Sequence, residues 1–424
     1  MNNLWDQIRR SQDEDDEEMM ATNAIVIAAV AEEYGNQHRG HGSHPSRAPK
    51  EERLREEKGK GMLADYFVDR PVFKDPVFRT RYRMSLNLFK RISTDLCQYD
   101  RYFVQRSDAT GKVGLLSEQK MTAALRMPAY GAGADQCAEY CRMAKSTSVT
   151  ALQHFTRGIV DLYSVEYLRA PTDADLRRLL AKAERRGWAG EYSGKKQIPT
   201  IILEAVASYD TWIWHALFGM PGACNDLNVL AKFPLFDELT AGRAPLIQFQ
   251  VNNRAHSLGY YLANGIYPRW ATFLKTVRNP TRPNEIEFAK TQEGYRKDVE
   301  RCFGILQSRF GIVRGAARGW HKKDLRYIML TCIILHNMIV ENERPEDSDD
   351  ELESDDEEDN NMRPKIVEVW EGLTGRDFDP VGRDAHHLNG FMDRYQQIRS
   401  EHSHSNLQED LIQHFWEFQG NRSI

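Results

Sequence analysis

The stretch His256–Phe310 decides the reading of this chain. Residues 256–275 run HSLGYYLANGIYPRWATFLK, and after a polar connection residues 289–311 run AKTQEGYRKDVERCFGILQSRFG. The short apolar run Leu258 to Ala263 closes on Asn264-Gly265, which is strand chemistry followed by a turn. In the second segment Gln292, Tyr295, Val299, Phe303, Leu306 and Phe310 recur at steps of three and four, so they share one helix face. Glu300 lies beside that face. A strand ending at residue 264 and a helix carrying a carboxylate 36 residues later can meet at one metal site.

Outward from this stretch, composition sets the bounds. The chain has 424 residues, 41% of them hydrophobic, which is ordinary for a globular protein with one large core or two modest ones. No apolar run is long enough to span a membrane. The start, MNNLWDQIRRSQDEDDEE, is too acidic for a signal peptide. Six scattered cysteines show no zinc spacing, Cys137 and Cys141 included, and read as reduced and intracellular. The net charge of −5 is unevenly laid out. Residues 61–200 carry 23 Lys/Arg against 15 Asp/Glu, whereas residues 346–359 carry 11 acids and no base. A basic module beside an acidic linker suits a polyanion-binding protein, although charge runs are commonly just solvated linkers.

Residues 1–60 read as a disordered segment, rich in acids and then in His and Gly, with an Ala-rich helix at 19–33. Order is expected from near Met62, with a helix over Leu86 to Leu96. Three further helices are expected at 117–130, 134–143 and 146–163, the first capped by Ser117 and kinked by Pro128. This is the outline of a helix-turn-helix over 61–187, as well as of a plain bundle. In the first case Lys145, Ser146, Thr147, Ser148 and Thr150 meet DNA phosphates or base edges. A basic helix at 176–186 follows. Strands are expected at 198–206, 211–218 and 246–251, a helix at 224–236 capped by Asn225 or Asp226, and an apolar helix at 320–342. An acidic linker (345–362) and a C-terminal helical segment (363–424) complete the chain. His336, on the apolar run CIILHNMIV, reads as a core histidine, and neither it nor His256 and His321 make a metal pattern.

YYLANGIYP and RKDVERCFGILQSRF closely resemble YYLADGIYP-like and RKDVERAFGVLQSRF-like motifs at the end of the nuclease domain of plant PIF/Harbinger transposases. The resemblance covers about Met62 to Gly420. It implies an α+β architecture: an N-terminal helical, helix-turn-helix-like module, an RNase H-like DDE nuclease over 188–344, and C-terminal helices. It places Glu300 at the catalytic glutamate and Asn264 where a catalytic aspartate is expected. The segment that resembles FPGMLGSIDCMHWEWKNCP in relatives, with the first strand and first aspartate, is missing where Arg186-Gly187 runs directly into Trp188. The sheet is therefore expected to be one strand short. Such nucleases use two Mg²⁺ or Mn²⁺ ions held by carboxylates. Here Glu300 stands alone, Asn264 adds only a neutral oxygen, and Asp226 or Asp210 are weak substitutes. The expectation is a nuclear, transposase-derived protein with a decayed centre, binding no metal productively. It would act by binding DNA or protein partners, a Myb-like DNA-binding protein or a chromatin complex among them, with no membrane. A nuclease with an unusual ligand set and a defunct copy without a role are the alternatives.

Overall fold

The computed structural model describes residues 52–109, 111–169, 201–221, 249–252, 254–263, 265, 267–315, 322–344 and 388–420. All elements below lie in the unit Arg53–Ile424. The expectations for the helices at 19–33, 176–186 and 224–236, for Asn264, Asp226 and His321, and for the acidic linker fall outside the described residues.

Helices α1 (Arg55–Tyr66), α2 (Asp75–Tyr82) and α3 (Leu86–Tyr99) open the described chain. The first described helix thus starts seven residues before Met62, inside the segment read as disordered. The reason is packing. Met62 and Tyr66 are 1% exposed, and Gly59 lies so close to Gln119 and Leu116 that a Cβ there would meet Gln119 Oε1 at 2.8 Å. Tyr66, Phe78, Tyr82 and Phe89 join in an aromatic cluster, with Phe78 and Tyr82 stacked at 4.2 Å. Ser85 caps α3 by accepting the Leu88 N–H at 3.2 Å.

Helices α4 (Ser117–Tyr130), α5 (Ala134–Cys141) and α6 (Lys145–Tyr167) follow. The cap of α4 is Leu116, not Ser117. Gln119 reaches back to accept the Leu116 N–H at 3.1 Å, which satisfies that group without a hydroxyl. The helix runs past the buried Pro128 to Tyr130 and closes on Gly131 at φ 64. Gly131 faces Gly311, where an added Cβ would meet the Tyr130 carbonyl carbon at 2.9 Å. A side chain at 311 would therefore push two backbones apart.

The first sheet is the antiparallel hairpin β1 (Ile201–Ala207) and β2 (Ile213–Pro221), around the expected turn at 208–210. Asp210 shapes the turn by accepting the Trp212 N–H at 3.3 Å. Two pairs of three-residue strands come next. The strands β3 (Phe249–Val251) and β4 (Arg254–His256) are antiparallel, whereas β5 (Tyr261–Ala263) and β6 (Phe273–Lys275) are parallel. The long helix α7 (Pro283–Arg309), a 3₁₀ turn at 311–313, α8 (Lys322–Asn342), α9 (Leu388–Ile398) and α10 (Glu401–Gly420) complete the described chain. The architecture is helix-rich α+β with small sheets. Among the described residues the strands form three two-stranded sheets.

Packing crosses the boundary expected at 187. One core joins Phe155, Ile159 and Tyr167 of α6 to Trp212 and Ile213 of the hairpin, Leu306 of α7, and Ile333, Leu335 and Met338 of α8. A second, smaller cluster sets Leu407 and Leu411 of α10 on Phe249, Leu274 and Phe288. Asp410 holds this contact by pairing with His256 at 3.0 Å and Arg254 at 3.3 Å.

Two neighbouring residues of α8 explain how the halves are held together. Asn337 is fully buried. Its Oδ1 accepts the Ile213 N–H at 2.9 Å, and its Nδ2 donates to the Ile213 carbonyl at 2.7 Å and the Tyr167 carbonyl at 2.8 Å. The carboxamide thus gives the outer edge of β2 the two hydrogen bonds that another strand would supply. His336, equally buried, lies 2.8 Å from the Thr211 carbonyl through Nε2 and 3.2 Å from Arg309 through Nδ1. A neutral ring with its proton on Nε2 satisfies both neighbours. His336 is a core histidine, as its apolar surroundings predict.

Burial lowers the His336 pKa to about 4 from 6.5, reinforced by Arg309 and opposed by the Thr211 hydrogen bond. The unfolded chain therefore takes up a proton that the folded chain refuses. This stability is complete above pH 6.5 and is lost as pH falls toward 4. The expected loss from His336 alone is about 2 kcal/mol between pH 7 and pH 5. Burial lowers His215, His404 and His414 too, which adds in the same direction. Urea midpoints at the two pH values check this: they should drop clearly in the native chain and less in His336→Gln.

Candidate functional site

Helix α7 carries the candidate carboxylate. Gln292, Leu306 and Phe310 of the expected face are buried, and Tyr295, Val299 and Phe303 are half-buried. Cys302 is buried as well, its thiol 3.2 Å from the Thr211 carbonyl. Gln292 fixes the helix to the short parallel sheet, since its Nε2 donates to the Leu274 carbonyl at 3.1 Å and reaches the Ala263 carbonyl at 3.5 Å. The helix bearing Glu300 is thus tied to the strand that ends one residue before Asn264. Position 264 itself is outside the described residues.

Glu300 projects to the solvent side of α7, its side chain 45% exposed. Arg296, one turn earlier, donates to Oε1 at 2.8 Å and also lies 4.0 Å from Glu293. Asp298 pairs with Arg301 at 3.0 Å, and Arg301 donates to the Tyr209 carbonyl. The carboxylate of Asp210 is occupied with Ser208, the Trp212 N–H and Arg344, the last at 3.3 Å. Among the described residues no three His, Cys, Asp or Glu side chains gather to hold a metal. Mg²⁺ or Mn²⁺ demands several anionic oxygens. Glu300, already held by a guanidinium, together with the neutral Asn264 does not fit that demand.

The candidate DNA contacts sit at the start of α6. Lys145 and Ser146 are exposed, and Thr147 and Thr150 are half-buried, with the Thr147 carbonyl accepting from the Tyr102 hydroxyl at 3.3 Å. Ser148 is a correction. It is 0% exposed and faces the core with Ala151, Leu152 and Phe155, so it does not reach a nucleic acid. Its place in that three-and-four spacing was readable from the sequence.

Residues 182–347 match the family model described as plant transposon protein, and residues 60–96 match a model described as a domain of unknown function. The matched stretch contains the hairpin, the candidate carboxylate and the Asn337 edge contact. The match over residues 182–347 supports a transposase-derived origin. No curated protein and no solved structure matches it. Among the described residues, no helix is long and apolar enough to cross a membrane.

Proposed function

We propose that this protein is a nuclear, DNA-binding derivative of a transposase that no longer cuts DNA. Its nuclease segment is the remnant of an RNase H-like domain, retained as a scaffold. The observation that carries this is the donor set. The single carboxylate that the resemblance places at the centre has an oxygen 2.8 Å from the Arg296 guanidinium, and a carboxamide stands at 264. The first helices act as a helix-turn-helix-like module, with Lys145, Ser146, Thr147 and Thr150 against the duplex. A Myb-like DNA-binding protein or a chromatin complex is the partner this reading expects.

The test is retention of the full chain on duplex DNA across a salt series. Binding should weaken steeply with salt, and Lys145→Gln should reduce the slope of log affinity against log salt by about 0.9. A full chain that shows no retention on duplex DNA at low salt sinks the DNA-binding reading.

A further inference from the structure

One face of the N-terminal helices carries a run of cations stacked on aromatic rings. Lys58 of α1 lies 4.4 Å from the ring centre of Tyr140, and Arg126 of α4 covers the same ring from 3.8 Å. Arg126 also lies 5.3 Å from the Tyr130 ring, and Arg83 lies 5.0 Å from it. The Tyr130 hydroxyl donates to the Arg81 carbonyl at 3.0 Å, which joins Arg81 to the same stripe. Arg81 in turn stands 4.1 Å from the Phe73 ring. Four elements, α1, α2, α4 and α5, thus contribute to one continuous surface.

The charges on this surface are not spent within the protein. Glu56 pairs with Lys60 and Asp75 with Arg79, and no carboxylate among the described residues bridges to Lys58, Arg81, Arg83 or Arg126. Arg81 and Arg83 each give one N–H to a neighbour, the Tyr66 hydroxyl and the Thr80 carbonyl respectively. The Lys58 ammonium and the Arg126 guanidinium have no hydrogen-bond or ion-pair partner among the described residues. A guanidinium lying over a ring keeps its in-plane N–H groups for an acceptor at its edge, and the ring fixes its position in advance. Fixed, unpaired cations beside exposed tyrosine suit a row of phosphates.

The stripe also has a direction. Tyr140 is two residues before Arg142, which turns the chain at φ 54 into α6, and five residues before Lys145. The stripe and the start of α6 are thus joined through one short stretch of chain, Tyr140 to Lys145. We propose that the surface of Lys58, Arg81, Arg83 and Arg126 is a second contact for the phosphate backbone of duplex DNA. This rests on the reading of α6 as the DNA-facing helix and names further residues that hold the duplex.

The test uses the full chain and a labelled duplex of arbitrary sequence, titrated with salt. Lys58→Gln with Arg126→Gln should lower the salt slope by about 1.8 and weaken binding roughly thirtyfold at about 0.15 M salt. Lys58→Arg with Arg126→Lys keeps both charges and should bind like the native chain, which separates charge from fold, and thermal melts check that both variants remain folded. If the double Gln variant binds like the native chain while Lys145→Gln does not, the second contact is wrong and the α6 reading stands. If no version binds, both fall. If a peptide of residues 346–359 is held by the native chain but not by the double Gln variant, with DNA affinity equal in the two, the surface serves the acidic segment and the inference is overturned.

Discussion

Asn337→Leu is expected to lower the unfolding free energy by about 3–9 kcal/mol, since it leaves three buried polar groups without a partner at about 1–3 kcal/mol each. Leucine is close in volume, so the core is not emptied. The Ile213 N–H, the Ile213 carbonyl and the Tyr167 carbonyl lose their only observed side-chain partner together. None of the three can turn to water, because Asn337 is 0% exposed, as is Ile213. A loss of this size is a large share of the roughly 5–15 kcal/mol that folded domains possess. Asn337→Asp should do no better, since it removes the two donated bonds and buries a charge. Urea unfolding followed by tryptophan fluorescence is a suitable measurement, with Trp212 and Trp214 flanking the contact. A change below about 1 kcal/mol would show that the carboxamide does not hold the strand edge.

Cutting the chain after residue 200 is expected to leave an N-terminal piece that does not fold cooperatively. A small helical module is commonly an independent unit, but here α8 supplies part of the core of the N-terminal helices. Ile328, Cys332, Ile333, Ile334, Leu335, Met338 and Ile339 are all buried in the cluster that holds α4 and α6. Thr331 donates to the Thr156 carbonyl at 3.2 Å, and Gln153 reaches Asp324 at 3.4 Å, so the two helices meet along much of α6. At about 1.5–3 kcal/mol for each large apolar side chain, removing this face forfeits on the order of 10 kcal/mol, as much as the stability of a whole domain. Residues 52–200 should show helical signal without a sharp urea transition. A cooperative transition in that fragment would contradict the shared core. DNA binding is accordingly tested on the full chain.

The sequence made the long elements legible and the short ones not. Gln292, Leu306 and Phe310 announced α7 by their spacing, and the hairpin at 201–221 followed from its apolar runs around Ser208-Tyr209-Asp210. The strands β4 and β6 were not readable, because three residues cannot establish an alternation. Arg254-Ala255-His256 is held in place by Asp410, 154 residues beyond His256. Ser117 looked like the cap of α4, yet a glutamine two residues later performs the task one position earlier. The signal for Asn337 was present. An asparagine inside CIILHNMIV is a buried polar group that needs a partner, but no spacing rule names a strand edge 124 residues away. At the candidate centre, the helix and Glu300 were legible from the motif. That Arg296 would face Glu300 follows from their i,i+4 separation.

On the function proposed above, Glu300 does not serve phosphodiester cleavage. The direct measurement is nicking of supercoiled plasmid by the purified full chain with Mg²⁺ or Mn²⁺, in parallel with Glu300→Ala. The expected result is no divalent-ion-dependent nicking above buffer in either protein, with both still retained on the DNA. Nicking by the native chain that Glu300→Ala abolishes would contradict it.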